Sequence, residues 1–277
     1  MNILFPTDFS ETAENAFRFA LHLTQKTGGQ LTLIHVYELP ELGRSLQNTS
    51  REVFEMMEEE SRKNFQSAVE KMRKIADDNG FKSVDFNQIM AEGHPVTRIT
   101  TVAKKEAYDV IVMGTKGATG LKEVFLGSVA SGVIDASPCK VMSIPLEASP
   151  EANVKKIAYM TNYKDEEVVS FNDVLDFSIQ LNASLCGVHF EKDISDVSAS
   201  DMENWKKKLR GDDQLNFHVI TGEDIESSLI DFYSSKKVDI IAIQPRKRNF
   251  FSAIFSRSLS KNIAQHLQIP LLTLPAK

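Results

Sequence analysis

The chain has 277 residues, 42% hydrophobic and 25% charged, which is enough apolar material for one large globular domain or two ordinary ones. Its net charge of -6 argues against nucleic acid as a partner, because neutralising phosphates takes clustered Lys and Arg. No apolar run approaches the roughly 18 residues that would span a bilayer, and the opening MNILFPTDFS lacks the basic start and long apolar stretch of a signal peptide. With Cys139 and Cys186 in strand-like segments and no zinc spacing, a reduced, cytoplasmic chain with no membrane contact is expected.

In chain order, Asn2–Pro6 is a short continuous apolar run, the signature of a strand buried on both faces. A helix is expected from about Ser10 to Thr27, where Ala13, Ala16, Phe17, Ala20 and Leu21 recur at helical spacing and Gly28-Gly29 stops it. Leu31–Tyr37 reads as a second strand and residues 50–79 as a long amphipathic helix. Val84–Ile89 reads as a third strand, Pro95–Lys105 as a helix opened by its proline, and Asp109–Gly114 as a fourth strand. A glycine-containing loop leads to a helix near Ser128–Ala136, and Cys139–Ile144 is a fifth strand. Strands alternating with helices predict parallel βαβ units in a doubly wound α/β sheet.

Around Leu146–Asn153 the pattern weakens into a linker, and the same order then restarts. KKIAYMTNYKDEE resembles MNILFPTDFSETAE, and LCGVHFEK resembles LIHVYE with His189 at the place of His35. The segment from Val238 to Pro275 aligns without a gap to that from Tyr108 to Pro145, bringing Asp239 onto Asp109 and Ser258 onto Ser128. A repeat of this length is a duplicated domain. The expected units are 1–146 and 154–277, each a five-stranded parallel sheet flanked by helices.

In a doubly wound sheet, ligands bind beyond the carboxyl ends of the strands, where strand order reverses. Two such ends carry suitable chemistry in the first half. One is Pro6-Thr7-Asp8, where Asp8 has two roles open to it: accepting from a ribose hydroxyl, or capping the following helix with Glu11 completing a capping box. The other is Met113-Gly114-Thr115-Lys116-Gly117, followed by Gly127-Ser128 before a helix, where free N–H groups and the helix dipole suit phosphate. Walker-type and G-x-G-x-x-G motifs are both missing.

The spacing G-x2-G-x9-G-S from Gly114 to Ser128, the opening PTDFSE, the strand LIHV and the ending SPCKVMSIP resemble the universal stress protein family across the first half and, more faintly, the second. The resemblance implies a Rossmann-like fold of the adenine nucleotide alpha hydrolase type. It also implies an ATP site, with or without Mg²⁺. Pro6, Thr7 and Asp8 would line its adenosine side and Val36 would lie near the adenine. Met113, Gly114 and Gly117 would approach ribose and phosphates, and Gly127, Ser128 and Val129 would hold the phosphate tail. The resemblance further implies association through each unit's last strand. Val141–Ile144 and Leu271–Leu274 would then join the two units as an internal pseudo-dimer, with a chain-to-chain homodimer also open.

The second half departs from the signature. Gln244 stands for Gly114, Lys247 for Gly117, Arg257 for Gly127 and Asn162 for Asp8, so no nucleotide is expected there. His35 and His189 read as hydrogen-bonded structural residues. Lys116 reads as a solvated loop lysine or a phosphate contact, Arg246-Lys247-Arg248 as a solvated turn with anion attraction also open, Glu58-Glu59-Glu60 as a solvated helix face, and Cys139 as inert packing. Efficient phosphoryl transfer needs a metal site and a water-positioning group, and the sequence nominates no catalytic residue. The expected function is therefore an ATP-binding regulatory protein of the stress-response type, with a slow ATPase and a nucleotide-independent scaffold as alternatives.

Overall fold

A computed structural model describes residues 1–38, 50–115, 126–151, 153–191, 198–211, 215–221, 225–245 and 269–275. The first half runs β1 (Asn2–Pro6), α1 (Glu11–Thr27), β2 (Gln30–Tyr37), α2 (Ser50–Asp78), β3 (Phe86–Glu92), α3 (Pro95–Lys105), β4 (Val110–Gly114), α4 (Ser128–Ala136) and β5 (Lys140–Ile144). The second runs β6 (Lys156–Met160), α5 (Glu167–Gln180), β7 (Ser184–Glu191), α6 (Ala199–Lys206), β8 (Asn216–Thr221), α7 (Ile225–Lys236), β9 (Ile240–Ile243) and β10 (Leu271–Thr273).

Among the described residues, all strands lie in one ten-stranded sheet of order β3-β2-β1-β4-β5-β10-β9-β6-β7-β8. Each half has the same parallel order, and the halves meet where β10 pairs antiparallel with β5, Leu271 opposite Ser143 and Thr273 opposite Val141. The order reverses between β1 and β4, and again between β6 and β9. The two expected five-stranded sheets are thus continuous edge to edge.

Successive strand residues point to opposite faces, and the core divides accordingly. Ile3, Phe5, Val110, Val112 and Met142 pack with α1, α2, α5 and α6 on one face. Leu4, Ile111, Met113 and Val141 pack with α3, α4 and α7 on the other. Burial on both faces is why β1 and β4 read as unbroken apolar runs.

Local signals explain the element ends. Gly28 adopts φ 61° and its N–H returns to the carbonyls of Thr24 and Gln25, ending α1. Ser10 is the N-cap of α1, its hydroxyl accepting from the Ala13 N–H at 3.3 Å. The capping box from Asp8 to Glu11 does not form. The third strand lies further along than Val84–Ile89, because Val84 belongs to a turn bonded to Phe81 and pairing with β2 continues through Glu92 opposite Tyr37. As an outer strand with mostly exposed or half-exposed side chains, β3 lacks the apolar contrast that marks a central one.

Candidate functional site

The carboxyl ends of β1 and β4, on either side of the reversal in strand order, open into a cleft of about 340 Å³, within the size range of small-molecule sites. Pro6, Thr7, Asp8, Val36, Met113, Gly114, Gly127, Ser128 and Val129 all line it. Of the expected site residues, only Gly117 lies outside the described residues, as does Lys116. Ala13, Ile34, Pro95, Ile99, Thr115 and Ala130 complete the wall, and sequence reasoning did not nominate them. For Thr115 after β4 and for Ala13, Pro95 and Ala130 in first helical turns the signal would have been placement, while Ile34 and Ile99 lie further inside β2 and α3.

The turn after β1 is tightly organised. The Thr7 N–H donates to the Ile34 carbonyl at 3.0 Å, and the Thr7 hydroxyl accepts from the Phe9 N–H at 3.0 Å. Phe9 takes φ 60°, a left-handed conformation that a bulky side chain rarely adopts. The Asp8 Oδ1 accepts from the Ser10 N–H at 3.1 Å, so Asp8 shapes the turn as well as lining the cleft. His35 Nδ1 lies 2.9 Å from the Thr7 carbonyl; a carbonyl only accepts, so that nitrogen carries the proton. Its ring stacks on Phe65 and lies against Phe9. The histidine is a bracket for the strand end, as its surroundings in the sequence suggested.

Across the cleft, Gly114 is needed for close packing rather than for a left-handed turn. A Cβ there would stand 2.9 Å from Thr12 Cγ2 and 3.2 Å from the Thr12 backbone. The Thr115 N–H bonds the Ile144 carbonyl, and the Gly127 N–H bonds the Thr115 carbonyl at 2.7 Å, which sets the start of α4 beside the end of β4. Gly127 is the N-cap, with φ −64° and ψ 163°, and as a glycine it brings no side-chain cap of its own. The first-turn N–H groups of an α-helix have no intrahelical partner and carry a partial positive charge. Ser128, Val129 and Ala130 present that turn to the cleft. Anion-favouring backbone thus lies on one wall and the carboxylate of Asp8 on another.

Residues 1–145 match the family model described as the universal stress protein family. The chain belongs to the universal stress protein family. Two universal stress proteins of Methanocaldococcus jannaschii are 35% and 33% identical to it, each over 51% of this chain and covering 93% and 80% of their own lengths. A universal stress protein from Archaeoglobus fulgidus, known by its crystal structure, superposes on all of this chain and 98% of its own with a TM-score of 0.70 at 15% identity, a likeness of fold. The fold shared across this universal stress protein's whole length is the Rossmann-like one, present twice.

The second half repeats the turn but not the cleft chemistry. The Thr161 N–H bonds the Val188 carbonyl, the Tyr163 N–H bonds the Thr161 hydroxyl, and His189 Nδ1 lies 2.8 Å from the Thr161 carbonyl. Asn162 replaces Asp8 and Glu167 replaces Ala13. Gln244 replaces Gly114 and buries its Oε1. Lys247, Arg257, Ser258 and the run Arg246-Lys247-Arg248 lie outside the described residues. Burial pushes the Cys139 and Cys186 thiols up, Cys186 to about 11, away from the thiolate form. Among the described residues no His, Cys, Asp and Glu side chains group as a metal site, and no helix is long and apolar enough to cross a membrane.

Proposed function

We propose that residues 1–146 form a nucleotide-binding domain that takes ATP, that residues 154–277 form a domain that does not, and that the pair acts as a stress-response regulatory protein. The observation that carries this reading is the cleft at the β1 and β4 ends. One cavity gathers Asp8 for a ribose, apolar Val36 for a base, Met113 and Gly114 for ribose and phosphates, and the start of α4 at Gly127-Ser128 for the phosphate tail. The pairing of β5 with β10 supports the second domain as an intramolecular partner, in the place a second copy would otherwise take.

Hydrolysis is not part of the reading. Asp8 is the one carboxylate among the described lining residues, and it is already engaged in the turn. Fast phosphoryl transfer asks for groups that position water and stabilise the leaving charge.

Gly127→Arg tests the binding reading cleanly. Its backbone angles suit any residue and a long side chain there enters the cleft, with circular dichroism and the melting temperature checking that the variant folds, whereas a substitution at Gly114 would push on Thr12. ATP affinity is expected to fall by roughly 100-fold, about 2.7 kcal/mol. Unchanged affinity would refute the site, and multiple-turnover phosphate release by the wild type would favour an enzyme instead.

A further inference from the structure

The turn into each first helix is closed by one carboxylate, but the two halves supply it from different places. In the first half, Asp8 on the cleft rim accepts from the Ser10 N–H. In the second, the counterpart of Ser10 is Lys164, and its N–H points at Glu167 Oε2 at 3.4 Å. The same oxygen accepts from the Thr161 hydroxyl at 2.7 Å and the Asn162 N–H at 2.9 Å. Glu167 is 5% exposed, and its counterpart Ala13 lines the open first cleft. Asp8→Asn162 together with Ala13→Glu167 therefore moves a carboxylate from the rim to the interior. Burying an ionised carboxylate is costly unless donors compensate it, and donors from the strand end and the turn converge on this one.

We infer that Glu167 is a built-in occupant of the second strand-end site. Its side chain fills the space that lies open over Ala13 in the first half. Its carboxylate takes the Thr161 hydroxyl and Asn162 N–H that an anionic ligand would otherwise meet. The second half is thus closed from within, whatever the loop after β9 does. This inference does not depend on the first half binding nucleotide.

The test is thermal unfolding of the full chain with Glu167→Ala, with formate or chloride added at equal ionic strength and no nucleotide present. Loss of the carboxylate leaves buried donors unpaired, and the melting temperature is expected to fall by roughly 4–10 °C. Formate, a free carboxylate of the missing size, is expected to restore at least half of the loss in a saturable way, and chloride is not. Glu167→Gln fills the same space and is expected to show no formate response. If Glu167→Ala does not fold in buffer, its refolding yield from urea with and without formate makes the same comparison. A melting temperature or yield indifferent to formate would overturn the inference, as would a formate response in Glu167→Gln as large as in Glu167→Ala.

Discussion

The turn from β1 into α1 and the turn from β6 into α5 are built alike and face their surroundings differently. Each places a Thr at the strand end, a left-handed aromatic two residues on (Phe9 at φ 60°, Tyr163 at φ 55°) and a histidine Nδ1 on the Thr carbonyl. What differs is a set of cleft-lining groups: Asp8 against Asn162, Ala13 against Glu167, Gly114 against Gln244. The aromatic surroundings differ too. His35 stacks on Phe65, while His189 sits beside Tyr163 with its Nε2 3.7 Å from Glu191, and burial together with that carboxylate pushes the Tyr163 hydroxyl up to about 12. The lesson is that the backbone frame of the strand end is independent of ligand chemistry. A duplicated half can keep the frame while the residues around it change.

That separation can be pressed from its largest consequence to its smallest. If the frame is supported by an aromatic beneath each turn, Trp205→Ala should be the most damaging single change. Trp205 is 1% exposed, donates its Nε1–H to the Lys164 carbonyl at 2.8 Å and meets Tyr163, Phe171 and Phe217 edge to face. A loss of about 3–5 kcal/mol is expected in urea unfolding, with Phe65→Ala, its counterpart beneath His35, in the same range. A cost below about 1 kcal/mol for either would break the parallel.

The next effect is smaller and one-sided. Asn15 is buried, and its side-chain amide donates to the carbonyls of Pro145, Leu146 and Ala148 at 3.0–3.1 Å, tying α1 to the segment that leaves β5. Its counterpart in the second half is Val169, 55% exposed. Asn15→Ala is expected to cost about 1–3 kcal/mol and Val169→Ala less than about 0.5 kcal/mol. Equal costs in equilibrium unfolding would show that the tether is not what Asn15 supplies.

The smallest effect is a pH dependence. Burial lowers the pKa of His22, against the raising influence of Glu151, and burial with Lys236 and Lys156 lowers that of His218. A histidine depressed in the folded state leaves the unfolded chain binding more protons, so its contribution is full above the ordinary value of 6.5 and is lost as pH falls through the folded value. Unfolding midpoints should therefore drop as pH falls from 6.5 to the folded value. His22→Asn and His218→Asn should each flatten the slope, and an unaltered slope in both would assign it to other groups.

Much of this molecule is legible in its sequence because the physics is local. Continuous apolar runs mark strands buried on two faces, Gly28 ends α1 through a conformation glycine adopts freely, and Pro95 opens α3. The repeat is visible by aligning the chain with itself, and the cleft follows from where strand ends with the right residues must meet. What was not legible depends on partners distant in the chain or on the geometry of a turn. The need for Gly114 comes from Thr12, the role of Asn15 from carbonyls after β5, and Ser10 rather than Asp8 caps α1 because the turn geometry places its hydroxyl on Ala13. Glu167 reads as an ordinary first-turn acid until its carboxylate is seen folded back under the strand end.

The claim that the halves share a frame but not a site is tested most directly by the stoichiometry of ATP binding to the whole chain, measured by calorimetry in the presence of Mg²⁺. One site per chain, lost in Gly127→Arg, is the predicted result. Two sites would contradict the closure of the second half, and the lack of any binding would contradict the reading of the first.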